Sequence, residues 1–404
     1  LEQLLQSHFS IFVVHGTLIN YIVGLVACTA VAWRFTRGEP VAMGYWSNMV
    51  VPMIWILYLL AWVGLLWSPD TALAMRMIVP GVPAYILTLV LLPLLIYDLE
   101  SFYRVETGIM VVGAVIAALI LLNPNSVYYG TRLMVSLGVI TGGARANPLA
   151  LADMGGAIAV IGATFVPRTK NPLSIAIRGG AIILGLGLAV ASGSRGQVVG
   201  AILTSIIFYP MSRQLRDSKQ FLILALGFMG MFAALSAVAQ YFISDVNAAR
   251  WDADSLSEGV DVRAELILTL FTAWLENPLA WVVGLGTNAF YSISSHGYVH
   301  NLVVEALCEH GLIGFGVLMV AMYGTFTSGR YLFSIYRDDP AMRSAAATLG
   351  ALSVYWLLIA LKQGSYLGSP QCFIFWFVLA KIAATERMLI ESAEPEVADE
   401  EWSE

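Results

Sequence analysis

The chain has 404 residues, 58% of them hydrophobic and only 12% charged, where soluble domains carry about 25% charged residues. That composition excludes an ordinary soluble protein, and a net charge of −6 lacks the basic surface that nucleic-acid binding needs. Cys28, Cys308 and Cys372 all fall in apolar runs, so neither a disulfide framework nor a metal-ligand spacing is visible.

In chain order, eleven apolar segments occur at roughly 11–33, 47–67, 76–97, 107–122, 149–166, 177–192, 197–210, 221–243, 302–327, 344–362 and 370–390. Runs of this length without alternation span lipid as helices, because a helix satisfies its own backbone. The predicted fold is therefore all-α and polytopic, with about 11–12 transmembrane helices. It divides into transmembrane helices over 1–243, a large external loop over 244–299, further transmembrane helices over 300–390 and an acidic cytoplasmic tail over 391–404 that lacks the apolar residues to fold.

Of the 21 lysines and arginines, fourteen fall in one set of alternate loops, among them Arg34, Arg168, Arg213 and Arg343. Short basic loops stay cytoplasmic, so that set marks the cytoplasm. With the C-terminus inside, eleven crossings leave Leu1 outside, and a twelfth helix would bring both ends in. The external side then holds Arg76, Arg132, Arg145, Arg195, Arg250, Arg263 and Lys362.

Along that side, Ser68-Pro69-Asp70-Thr71 reads as a turn that ends one helix and starts the next. Pro80, Pro83 and Pro93 predict a kinked third span. Asn123 to Asn147 is a mid-sized loop carrying Arg132 and Arg145, and Asn147-Pro148 reads as a helix cap with proline at the first position. Ser194-Arg195-Gly196 sits in a tight hairpin between two short spans, where an arginine is costly unless it faces a cavity or an anion.

Within the large loop, Val262 to Glu276 has apolar residues at helical spacing and reads as an amphipathic helix on the membrane face. Asn277-Pro278 ends it. Gly284 and Gly286 read as a flexible turn. His300-Asn301 then closes the hydrophilic stretch and opens an apolar run to about Thr327, putting the histidine at the membrane boundary. Val304, Leu307, Gly311 and Gly314 form a stripe at helical intervals, expected to fix the direction of His300 and to admit a neighbouring helix at the two glycines.

His-Asn followed nine residues later by Gly-x-x-Gly, with an arginine in a Ser-Arg-Gly hairpin (Arg195) and another inside the large loop (Arg263), resembles the O-antigen ligase and polymerase superfamily of bacterial polysaccharide assembly. The resemblance implies an O-antigen ligase of GT-C-like architecture in the inner membrane, with its active site on the periplasmic face. Such an enzyme moves polysaccharide from undecaprenyl pyrophosphate to a sugar hydroxyl of lipid A-core. It also implies no metal and no cofactor.

In that chemistry a neutral imidazole takes the proton of a sugar hydroxyl, and guanidinium groups hold the leaving diphosphate. His300 is the candidate base, and Arg195 and Arg263 are the candidate diphosphate ligands. Arg145, Arg132 and Asn301 are candidate substrate contacts. Interfacial anchoring is the bland alternative for His300 and Arg195, and pairing with Asp261 or Glu265 is the alternative for Arg263. Glu305 is expected to orient a neighbour or cap a cavity, and His296 and His310 to be packing or interface residues. Relatives with an acidic residue near the last external turn differ from this chain, which has Lys362-Gln363-Gly364 there and so leaves open what orients the imidazole. The expected partners are the lipid-linked polysaccharide, the lipid A-core acceptor and membrane lipids. An O-antigen polymerase is the rival reading within the superfamily, and a secondary transporter the rival outside it.

Overall fold

A computed structural model describes residues 2–9, 18–129, 132–136, 147–169, 171–213, 218–242, 253–294, 299–363 and 365–400. Each of the eleven apolar segments holds a helix among its described residues. In chain order they are α1 (Leu18–Thr36), α2 (Val50–Trp67), α3 (Thr71–Leu95), α4 (Leu99–Leu122), α5 (Pro148–Thr164), α6 (Pro172–Ala191), α7 (Arg195–Arg213) and α8 (Ser218–Phe242). After α9 (Ala253–Glu276), which lies within the large loop, come α10 (Leu302–Ile335), α11 (Pro340–Gln363) and α12 (Pro370–Glu400). Among the described residues seven of these, α1 to α4, α6, α10 and α11, are long and apolar enough to cross a membrane. The chain is a multi-pass membrane protein, and among the described residues its regular structure is helical but for one hairpin.

That hairpin is β1 (Ser126–Tyr129) and β2 (Arg132–Val135), paired antiparallel. It falls in the mid-sized loop read from sequence as a connection alone. Leu133 and Val135 explain it, since alternate residues of β2 enter a core with Ile120, Leu151 and Leu188. The predicted helix ends are in place. Asp70 caps α3 by accepting from the Leu73 amide at 2.9 Å, and Asn147 caps α5 by accepting from the Leu149 amide at 3.0 Å. Helix α3 is irregular where the prolines predict it, with a 3₁₀ turn at Val79–Gly81 and a π turn at Leu87–Leu91. The acidic tail differs from expectation, because α12 continues to Glu400. Extending a nucleated helix adds one hydrogen bond for each residue fixed, and that suffices without a core.

Two compact units divide the chain, and they do not follow chain order. The first combines 1–25, 103–262 and 338–359, and the second 26–102, 263–337 and 360–404. In the first, α5 and α6 touch backbone to backbone. A Cβ on Gly155 would lie 2.5 Å from the Gly185 carbonyl, and one on Gly185 would meet the Gly155 carbonyl at 2.5 Å, which is how small residues hold helices together where lipid competes for apolar surface. Thr164 and Thr348 join α5 to α11 through their hydroxyls at 2.9 Å.

In the second unit, α2 and α12 pack on α10, and Lys381 of α12 is buried. Its ammonium donates to the carbonyls of Val41, Pro93 and Ile96 at 2.6, 2.7 and 3.3 Å. These acceptors lie outside regular helix or at its end, and a buried carbonyl needs a donor. Replacing Lys381 with Met should therefore lower stability by about 3 kcal/mol, read as a drop in the thermal unfolding midpoint in detergent. An unchanged midpoint would mean that those carbonyls find other donors.

Helix α10 is broken. Gly311 has φ 66° and ψ −164°, a conformation essentially confined to glycine. The carbonyls of Cys308 and Glu309 instead accept from the amides of Leu285 and Gly286 at 2.9 and 3.1 Å. Gly311 and Gly314 were expected to admit a neighbouring helix, but a Cβ on Gly311 would strike the backbone of Val282 and Gly284. What lies against it is the 280–286 segment of the large loop. Gly311→Ala should destabilise by at least about 2 kcal/mol. A variant that melts with the parent would show that the break is dispensable.

Candidate active site

Asn301 starts α10 as its N-cap. Its Oδ1 accepts from the Val303 and Val304 amides, both at 3.1 Å, and its Nδ2 donates to the Leu361 carbonyl at 3.1 Å. The side chain expected to touch substrate is thus committed to the protein's own backbone, tying the start of α10 to the end of α11. His300 precedes this cap with φ 58°, a left-handed conformation uncommon outside glycine and enriched at functional sites. Its direction is set by this backbone and not by the apolar stripe of α10.

The half-buried His300 ring is hydrogen-bonded to the backbone carbonyl of Gln363. That contact supplies the orienting partner the sequence left open, and it comes from the main chain at the C-terminal end of α11. Burial pushes the imidazole pKa below its usual value, the Gln363 bond opposes this, and the charges of Arg263 and Lys362 lower it further. The ring is accordingly neutral at physiological pH and can accept a proton.

Arg263 reaches this place because α9 packs by one face. Leu266, Leu270 and Trp274 are buried with Ala280, Phe290, Val299 and Cys308, and the Trp274 indole donates to the Ala280 carbonyl at 2.7 Å. One apolar face of α9 covers the loop that leads into α10, while Leu268 and Leu275 of the same helix stay exposed. Arg263, a turn before Leu266, stays exposed. It forms no ion pair with Glu265 among the described residues.

Beneath the site lies a buried polar group. Glu305 accepts from the Tyr366 amide at 3.1 Å, and Glu309 accepts from the Asn288 amide at 2.8 Å. The His310 ring and the Tyr366 hydroxyl are 2.7 Å apart. Glu305 does orient a neighbour, as expected, and His310 packs inside. Sequence reasoning passed over Glu309, although two carboxylates four residues apart share a helix face and mark a polar stripe in an apolar helix. It also counted Lys362 only as a charge.

Among the sequence-derived residues, the structure gathers Asn301 and Arg263 around His300 within the second unit. Arg195 and Arg132 belong to the first. Arg195 is the half-buried first residue of α7, after a turn with Gly193 at φ 67°, and beside it Gln197 donates to Asp153 at 2.9 Å. Arg132 is opposite Tyr129 in the hairpin. Arg145 and His296 lie outside the described residues. Among those residues, no group of three histidine, cysteine or acidic side chains is placed to hold a metal.

Comparison with known proteins adds three findings. No curated protein matches the chain. A solved structure titled "Structural coordination of polymerization and crosslinking by a peptidoglycan synthase complex" superposes with a TM-score of 0.45 at 14% identity, over 84% of this chain and 97% of that one, a likeness too loose to carry an argument. Residues 180–319 match the family model described as O-antigen ligase. That matched stretch carries Arg195, Arg263 and His300.

Proposed function

We propose that this protein is an O-antigen ligase that transfers a polysaccharide from undecaprenyl pyrophosphate to a sugar hydroxyl of lipid A-core, working on the periplasmic face of the bacterial inner membrane. The family match supports a function of the ligase or polymerase type. The observation that carries the finer reading is a neutral histidine fixed by the Gln363 carbonyl with the Arg263 cation acting on it. A general base must be unprotonated before reaction, and a diphosphate leaving group must meet positive charge as it departs.

In this reading His300 takes the proton of the acceptor hydroxyl as its oxygen bonds to the anomeric carbon. The bond from that carbon to the phosphate oxygen breaks, and its electron pair leaves with the lipid diphosphate. Arg263 binds that diphosphate bidentately. Arg195 keeps the diphosphate-binding role that the resemblance implies. The activated donor supplies the driving force, so no nucleotide is consumed.

Purified protein given undecaprenyl-pyrophosphate-linked polysaccharide and lipid A-core should release undecaprenyl pyrophosphate and yield the lengthened lipid. Extension of lipid-linked repeats without transfer to lipid A-core would identify a polymerase instead. His300→Ala should slow transfer by about 10²-fold or more with melting unchanged, and a variant at the parent rate would remove the histidine from the mechanism. Arg263→Ala should be damaged more than Arg263→Lys, since only a guanidinium grips two phosphate oxygens at once. Because the pKa of His300 in the ligand-free protein lies below the usual histidine value of 6.5, kcat/KM should hold as pH falls through 6.5 and be lost only at more acidic pH. An acid limb centred above 6.5 would contradict this environment.

A further inference from the structure

Lys362 ends α11 as the basic residue of its last turn, partly buried, between the two backbone groups that grip the histidine loop. The Leu361 carbonyl before it receives the Asn301 amide at 3.1 Å, and the Gln363 carbonyl after it holds the His300 ring. The main-chain contacts on either side thus fix this lysine beside the candidate base. The reading of His300 and Arg263 given above leaves Lys362 without a role, and a cation next to the base is an odd choice if the residue serves only structure. Among the described residues, the charges that act on His300 are those of Arg263 on α9 and Lys362 on α11. Two like charges held near one ring repel each other and gain most from a ligand bearing compensating negative charge.

We propose that Lys362 is a further cationic ligand for the donor's diphosphate, acting with Arg263 of α9. The inference rests on the diphosphate-donor reading of this site. Within the second unit, the two residues supply two positive charges toward the negative charge of a diphosphodiester. The lysine contributes a compact point charge where the arginine contributes a planar fork. Occupancy by the diphosphate also offsets both cations, so the proton affinity of His300 rises once the donor is bound. The base then becomes stronger only when there is a donor to attack.

Undecaprenyl pyrophosphate in nanodiscs is the probe. It should bind the parent, and Lys362→Gln should weaken its binding about tenfold or more while Lys362→Arg retains most of it, as expected for a charge-assisted phosphate contact. In transfer assays Lys362→Gln should raise the donor KM more than it lowers kcat. It should also move the acid limb of kcat/KM to higher pH, because removing a cation favours the protonated ring. Parent-like affinity and an unmoved acid limb in Lys362→Gln would overturn the proposal, as would Lys362→Arg binding as weakly as Lys362→Gln. Should Lys362→Gln melt early, Lys362→Met and the salt dependence of probe binding by the parent and Lys362→Arg decide the same question. The two readings fail differently. If the parent does not bind the probe, the diphosphate donor itself is refuted. If Arg263→Gln weakens binding and Lys362→Gln does not, only the role of Lys362 falls.

Discussion

The break at Gly311 is the constraint on which the second unit depends. An uninterrupted α10 would satisfy the Cys308 and Glu309 carbonyls internally and deprive the Leu285 and Gly286 amides of the partners they have here. With the break, that segment donates two amides to α10 and is held from the other side by α2. There Thr287 donates to the Ala61 carbonyl at 2.6 Å, Ser68 to the Thr287 carbonyl at 2.8 Å and the Trp67 indole to the Gly284 carbonyl at 3.2 Å. A loop crossing this region must have every polar group met, since little water is available to meet them.

The same logic fixes the turn between α11 and α12. Tyr366 is fully buried and linked through its amide to Glu305, through its hydroxyl to His310 and through its carbonyl to the Tyr58 hydroxyl at 3.2 Å. One residue further on, the Leu367 carbonyl accepts from the Tyr85 hydroxyl at 2.8 Å. Carboxylates and a histidine inside an apolar helix would be costly alone. Here they hold Asn288 in the large loop and Tyr366 in the turn that follows Lys362 and Gln363. Rigid support of this kind is what a general base requires, because proton transfer depends on placement within a few tenths of an ångström.

Much of this was legible beforehand. Length and apolarity place all eleven helices, since a chain in lipid has few alternatives to the helix. Caps at Asp70 and Asn147 and the prolines of α3 act through local backbone chemistry and needed no tertiary information. The pairing of His300 with Arg263 was suggested by resemblance, and the second unit does bring the two into electrostatic range. The β-hairpin was missed because its signal is two four-residue strands inside a loop, and strands so short take their stability from the core they enter, not from their own sequence.

The sequence by itself determined a multi-pass helical membrane protein, the ends and irregularities of several helices and the identity of the candidate base, because these follow from local propensity, apolar run length and a short motif. Only the tertiary structure decided that α10 breaks at Gly311, that α9 packs on the loop ahead of α10, and that a backbone carbonyl from Gln363, with Lys362 alongside, orients the imidazole. Those features are contacts between segments tens of residues apart. Which backbone groups are left over to make them becomes defined only when the helices have packed.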